Sequence, residues 1–240
     1  IPAGVGRGYK GCVLGPGVIR KILTRGARWA VDEGFGRAED LERIESGGVL
    51  EGADPDQVSA RAIERGRDQV GTVGSGNHFI EVGWVDEVYD ASAAHLLGLD
   101  PGTVTVFIHS GSRGLGYQVC DDYLDVMLRS ARAHGIELPD RQLACAPLRS
   151  EEAKRYLGAM RAAANYAFAN RQMMAHRVRE ACALGVRPRR VRKDFQCRPG
   201  KERRIRVVLD EFGKEGLFGQ ELAIAWQEAT LGRNQNECCR

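Results

Sequence analysis

The feature that most constrains this chain is one proline-free run, SEEAKRYLGAMRAAANYAFANRQMMAHRVREACALG, residues 150–185. It reads as a single long helix. Ser150 is a suitable N-cap, and the two glutamates after it sit where carboxylates meet the positive end of a helix dipole. The middle, AMRAAANYAFAN, is mostly small residues, so neighbouring backbone can pack close against it. Met173 and Met174 fit a core. Asn165 and Asn170 are poor helix formers in a helix interior, so each is either solvated or bonded to something specific.

Other elements must be arranged around that helix. TVTVFIHS, residues 103–110, is the strongest strand signal, a β-branched run. HFIEVGWVDEVYD, residues 78–90, gives one strand, or two short ones interrupted at Gly83. Pro16-Gly17 starts a helix that runs to about Glu33, with Gly26 as its weak point. RAEDLERIE, residues 37–45, reads as a short amphipathic helix ending at Gly47-Gly48. Asp54-Pro55 offers an N-cap and a first-turn proline for a helix to about Arg65. A further helix spans about 117–134, with Val119, Tyr123, Val126, Met127 and Ser130 on its buried face. Helices mixed with at least two strands make the fold class α/β.

No window approaches the roughly 18 uninterrupted apolar residues needed to cross a bilayer. IPAGVGRGYKG at the N-terminus has no signal-peptide core and no initiator Met, so the chain is either processed or part of something longer. Seven cysteines, an odd number without a CxxC pair, argue against a disulfide framework and a zinc ribbon. A cytoplasmic setting is the simpler expectation. The formal net charge of +3 is unevenly placed. Residues 187–206 hold ten Lys or Arg against two acids, while 207–240 hold three basic and six acidic residues. The main body is nearly neutral, and the basic character lies in one late segment.

Two stretches carry the candidate chemistry. In GSGNHFIEV, residues 74–82, small residues precede His78, leaving room for a close approach to the backbone. In IHSGSRGLG, residues 108–116, His109 closes a strand ahead of a Gly/Ser loop. Two neutral imidazoles suit Mn²⁺ or Zn²⁺, but two ligands alone make a weak site, so others must come from elsewhere. Either His is equally readable as an ordinary hydrogen-bonded loop residue. Ser110, Ser112 and Arg113 in SGSRG form a loop that opens into a helix and fits a phosphate, or simply a tight turn with a surface Arg. Glu81, taken alone, is an exposed strand acid. Cys120 and Cys145 are expected to be small buried residues. His95 and His134 read as helix surface or helix end.

GSGNHFIEV, IHSGSRGLG and AMRAAANYAFANRQMMAHRVRE, in this order, resemble the RtcB family of GTP-dependent RNA ligases, as does ARWAVDEGFGRAEDLERIESGGVLEGADPDQVSARAIERG before them. The resemblance covers roughly residues 1–184. It implies the central part of an α/β catalytic domain, a mixed β-sheet core with surrounding helices, incomplete at both ends. It implies joining of an RNA 3′-phosphate or 2′,3′-cyclic phosphate to a 5′-hydroxyl, using GTP and two Mn²⁺ ions through a guanylylated histidine. By position, His78 is a ligand of one Mn²⁺ and His109 of the other. Asn77 meets the GTP phosphates, Phe79 and Ile80 lie in the same GTP-binding stretch, and Glu81 bonds the guanine. Arg113, Ser110 and Ser112 meet RNA or nucleotide phosphate.

The departures are as informative. The family's Asp-x-x-Cys-Gly, Ala-His-Asn and His-Arg-Lys-Gly type motifs are missing here, and the last His is His176. The nucleophilic His is therefore absent, and the isolated chain is expected not to complete ligation. Residues 185–240 do not resemble the family and read as a divergent basic tail without a packed element, as a shifted frame or a joined gene fragment would produce. Two other functions stay open: a catalytically dead remnant that binds metal, nucleotide and RNA, and a metal-dependent phosphohydrolase using His78 and His109.

Overall fold

The computed structural model describes residue 1, residues 13–75 and 77–183, and the backbone of residues 222–225. The described residues fall into two units. Of these residues, the first comprises 1, 13–75, 77–79, 108–183 and 222, and the second 80–107 and 223–225.

The first unit is helix packed on helix. Helix α1, Pro16–Asp32, has proline in its first turn and places Ile19, Ile22, Leu23, Trp29 and Ala30 on a buried stripe at helical spacing. The long helix α6, Glu151–Ala183, packs chiefly against that stripe. Ala159, Ala162, Ala163, Tyr166, Ala169 and Met173 are its share of the main buried cluster. Burial of each Ile or Leu of this cluster contributes about 1.5–3 kcal/mol. The Ser150 hydroxyl accepts from the Ala153 N–H at 3.2 Å, so the expected cap of α6 is present.

Residues 165–175 of α6 are buried without interruption. A helix buried all round is usually apolar, yet this stretch holds Asn165, Asn170, Arg171 and Gln172. Each is bonded to a loop or turn from elsewhere in the chain. Asn165 Oδ1 accepts from the Leu50 N–H at 2.7 Å, and its Nδ2 donates to the Leu23 carbonyl at 2.9 Å and the Leu50 carbonyl at 3.2 Å. The Leu23 carbonyl lies just before Gly26, where α1 kinks with φ 52°. A Cβ on Gly26 would run into the Gly48 carbonyl oxygen, so the kink lets the 45–48 turn sit directly on the helix. Gln172 Nε2 donates to Asp40 Oδ2 at 2.7 Å, and Arg179 grips both Asp40 oxygens at 2.7 and 2.8 Å.

The remaining elements of this unit are shorter than the sequence suggests at one side and longer at the other. Only Ala38–Leu41 is α-helical in the 37–45 region; call this α2. Ile44 is extended, and Ser46 and Gly47 take positive φ, which turns the chain into a 3₁₀ turn at Glu45–Gly48. Asp54 caps only a 3₁₀ turn, Pro55–Gln57. Val58 is extended, and Ser59 caps a separate helix α3, Ala60–Gly66. Thus the single helix expected from Asp54 is two elements.

The second unit holds α4, Ala91–Leu97, capped by the Asp90 carboxylate and closed by Gly98 in the left-handed region. It also holds most of two strands. β1, Phe79–Trp84, runs through Gly83 without the interruption expected there, and β2 is Val104–His109. Val85 N–H donates to the Thr103 carbonyl at 2.9 Å, and the Val85 carbonyl accepts from Gly102 at 2.8 Å, pairing the strands antiparallel. Beyond β2 lies β3, Leu222–Ala225, giving the order β1-β2-β3. Apart from this strand, the basic tail lies outside the described residues. The main buried cluster is helical, not a sheet core, although Val106 and Ile108 of β2 are buried.

The fifth helix, α5, Arg113–Ala133, starts four residues earlier than the periodicity predicts, directly out of the SGS loop. Its buried residues include Leu115, Gln118, Val119, Met127 and Ser130; Tyr123 and Val126 are half-buried.

Candidate functional site

One α6 amide joins the two stretches that carry the candidate chemistry. Asn170 is fully buried, and its Oδ1 accepts from the Thr72 N–H at 3.1 Å. Its Nδ2 donates to the Gly111 carbonyl at 3.0 Å, the Ser110 hydroxyl at 3.3 Å and the Thr72 carbonyl at 3.4 Å. The residue that is costly inside a helix thus fixes the segment leading into His78 against the loop leaving His109. Gln69 Oε1 accepts from the Gly114 N–H at 2.8 Å, and Arg113 Nε donates to the Thr72 hydroxyl at 3.1 Å.

The result is a pair of imidazoles. The rings of His78 and His109 stand 6.4 Å apart, centre to centre, inclined at 52°. Phe79 stacks nearly parallel on His109 at 5.2 Å. Gly74 passes so close that a Cβ there would run into His78 Nδ1 and Arg113 Nη1. The small residues before His78 therefore serve the close packing of His78 and Arg113. Burial lowers the His78 pKa, and the charge of Arg113 and then His109 lower it further. His78 is accordingly neutral at neutral pH, the form that can donate a lone pair. Its Nδ1 is buried with no hydrogen-bond partner among the described residues. The Arg113 pKa is also lowered by burial.

Both imidazoles line a cavity of about 360 Å³, the size of a small-molecule site. Ser110, Gly111, Ser112 and Gly116 line it. Tyr156, Met160, Ala163, Ala167, Phe168 and Arg171 of α6 line it as well. Ser110 is buried, whereas Ser112 and Arg113 are half-buried at the start of α5. Asn77 is exposed in the loop before β1. Phe79 and Glu81 fall on one face of β1 and Ile80 on the other, with Glu81 half-buried. Ile80 and Glu81 belong to the second unit.

Two expectations about cysteine are corrected. Cys120 is exposed on the cavity wall and Cys145 is half-buried, so neither is a core residue. The apolar positions of α5 turn inward one residue before Cys120, at Val119, leaving the thiol facing the cavity. Met173 and Met174 are buried and His95 is exposed, as expected. Arg171 was not singled out by sequence. The available signal was a charge inside the small-residue stretch of α6.

The donor set is incomplete among the described residues, where no group of three His, Cys, Asp or Glu side chains could hold a metal ion. The neutral His78 and the neighbouring His109, beside a helix N-terminus, nevertheless offer part of a donor set for a cation and a phosphorylated ligand. What the described residues define is a helix-rich protein with a small sheet and a cavity lined by two imidazoles. Comparison with known proteins makes this specific: the family model for the tRNA-splicing ligase RtcB matches residues 1–197, and the chain belongs to the RtcB family. The match reaches 13 residues past the limit of about 184 expected from the motifs. A tRNA-splicing ligase RtcB of Archaeoglobus fulgidus is 55% identical over 162 residues, covering 68% of this chain and 34% of that protein. One of Pyrococcus furiosus is 54% identical over 181 residues, covering 75% and 19%. An RNA-splicing ligase RtcB of Mycobacterium bovis is 50% identical over 183 residues, covering 76% and 42%. The chain therefore spans less than half the length of each. No helix among the described residues is long and apolar enough to cross a membrane.

Proposed function

We propose that residues 13–183 are the part of an RNA ligase that supplies two histidine metal ligands and a phosphate-contacting loop. The complete domain would be the mixed α/β fold of the family, acting on RNA ends that bear a 3′-phosphate or 2′,3′-cyclic phosphate and a 5′-hydroxyl, with GTP and Mn²⁺. The observation that supports this best is the Asn170 clamp, which brings His78 and His109 to one cavity wall beside the start of α5.

His78 and His109 would each give a nitrogen to a Mn²⁺ ion, with the other ligands coming from outside the described residues. The metal, when bound, would neutralise phosphate charge and orient the attacking oxygen. Ser110, Ser112 and Arg113 would hold phosphate oxygens at the positive end of α5. By the family resemblance alone, Asn77 would meet the GTP phosphates, Phe79 and Ile80 would lie in the GTP-binding stretch, and Glu81 would bond guanine. His78, held neutral by burial, needs no proton removed before it can bind metal.

A hybrid tests this. Residues 13–183 replace the matching segment of the Archaeoglobus fulgidus relative, and RNA joining is assayed with GTP and Mn²⁺. The expected hybrid joins 3′-phosphate to 5′-hydroxyl ends and loses joining on His78→Ala or His109→Ala. A folded hybrid that joins RNA equally well with both histidines replaced would overturn the proposal.

A further inference from the structure

Arg171 is a buried cation whose charge the described residues leave unpaired. It is 7% exposed, with its guanidinium 5.2 Å from the Phe168 ring centre and Nη1 donating to the Ser110 carbonyl at 3.1 Å. Among the described residues no carboxylate lies within ion-pair distance of it. Burial lowers its pKa to about 10, and Glu45, exposed and lining the same cavity, acts on it only through space, to raise it. Burying a cation is costly unless a counter-charge meets it, and a solvated carboxylate at a distance is screened.

The guanidinium carries five N–H donors in a fixed fork, and one of them is spent on Ser110. The fork lies on the cavity wall together with Ser110, Gly111 and Ser112, where the 21-residue helix α5 begins. A helix N-terminus and a planar donor fork favour the same ligand chemistry, an oxyanion with several acceptor oxygens. We propose that Arg171 and the Ser110–Ser112 loop form an anion subsite of this cavity that takes a phosphoryl group. The subsite deepens the ligase reading, and rests on it for the choice of phosphate over other oxyanions. Arg171 also explains why a charged residue is tolerated in the most buried part of α6. Its aliphatic stem packs there, and its head reaches the cavity.

The test is a calorimetric titration of the 240-residue chain with inorganic pyrophosphate, in buffer free of Mn²⁺ and low in chloride. Wild type should bind. Arg171→Gln, which keeps an N–H donor for the Ser110 carbonyl but no charge, should lose about tenfold or more in affinity. Arg171→Lys should lose less than Arg171→Gln. Glu45→Gln, which removes a competing negative charge, should bind more tightly than wild type. No binding by wild type, unchanged binding by Arg171→Gln, or weaker binding by Glu45→Gln would each overturn the assignment. If neither Arg171 variant folds, wild-type crystals soaked in tungstate decide: tungstate seated on the Arg171 guanidinium supports the subsite, and tungstate elsewhere or nowhere refutes it. With Mn²⁺ left out, these results are independent of the hybrid ligation assay, so either reading can fail alone.

Discussion

Replacing Asn170 by Ala separates the site from the scaffold. The substitution leaves the buried Thr72 N–H without its acceptor at 3.1 Å and removes the donors to the Gly111 carbonyl and the Ser110 hydroxyl. An orphaned buried group costs about 1–3 kcal/mol. With part of the lost donors replaced by rearrangement, the net loss should be about 3 kcal/mol. Asn165→Ala provides the control, because it removes three bonds of similar length to Leu23 and Leu50 and should cost about the same. The two should differ in metal affinity. Asn170 holds the segments that carry His78 and His109, so its loss should weaken Mn²⁺ binding about 10- to 100-fold, as loss of groups that orient ligands does. Asn165→Ala should leave Mn²⁺ affinity within about threefold of wild type. Urea unfolding and calorimetric Mn²⁺ titration of the full chain give both quantities. Equal Mn²⁺ affinity for Asn170→Ala and wild type, or an equal loss in both variants, would refute the claim that the Asn170 clamp positions the histidines.

Other perturbations follow from the same contacts. Gly74→Ala puts a methyl into the half-buried His78 ring and the Arg113 guanidinium, so it should lower the unfolding free energy by about 1–3 kcal/mol and also weaken Mn²⁺ binding. A large stability loss with normal Mn²⁺ binding would count against it. Gly26→Ala meets the rigid Gly48 carbonyl and a positive φ, and should cost about 2–3 kcal/mol in a urea titration. For Asp40, burial works to raise the pKa, but hydrogen bonds from Arg179, the Arg37 N–H and Gln172 outweigh it and hold the carboxyl below its ordinary value. Its stabilisation is therefore present above the unfolded pKa, near 3.9, and lost as pH falls through the folded value. Asp40→Asn should be less stable than wild type at pH near 7, by about 2 kcal/mol, with the difference shrinking in acid. A difference independent of pH would rule out the carboxylate as the cause.

The sequence made the long helix, both principal strands and the two histidine loops legible, because capping, β-branching and glycine punctuation are local signals. Asn165 and Asn170 were legible as exceptions, but their partners were not, since Leu50, Thr72 and Gly111 are brought to them only by packing. The splitting of the Asp54 helix was hidden for a different reason. Val58 is compatible with a helix, and its extended backbone follows from the Ser59 cap and from the contacts that hold Asp54 against Gly158. Cys120 was misplaced because a small apolar residue inside a helix gives no clue to which side faces a cavity. Arg171 was overlooked because a charge in an Ala-rich helix looks solvated until the helix proves to be buried on every side. The roles proposed for Asn77 and Glu81 come from the family resemblance and not from their own patterns.

The central claim is that His78 and His109 form one metal-binding wall, and the chain's five histidines provide an internal control. Imidazole C–H signals should be followed by NMR as Mn²⁺ is added in small steps, since a bound paramagnetic ion broadens its neighbours. His78 and His109 should broaden together at the lowest Mn²⁺, with His95, His134 and His176 still sharp. Equal broadening of all five, or earlier broadening of any of the other three, would contradict the account.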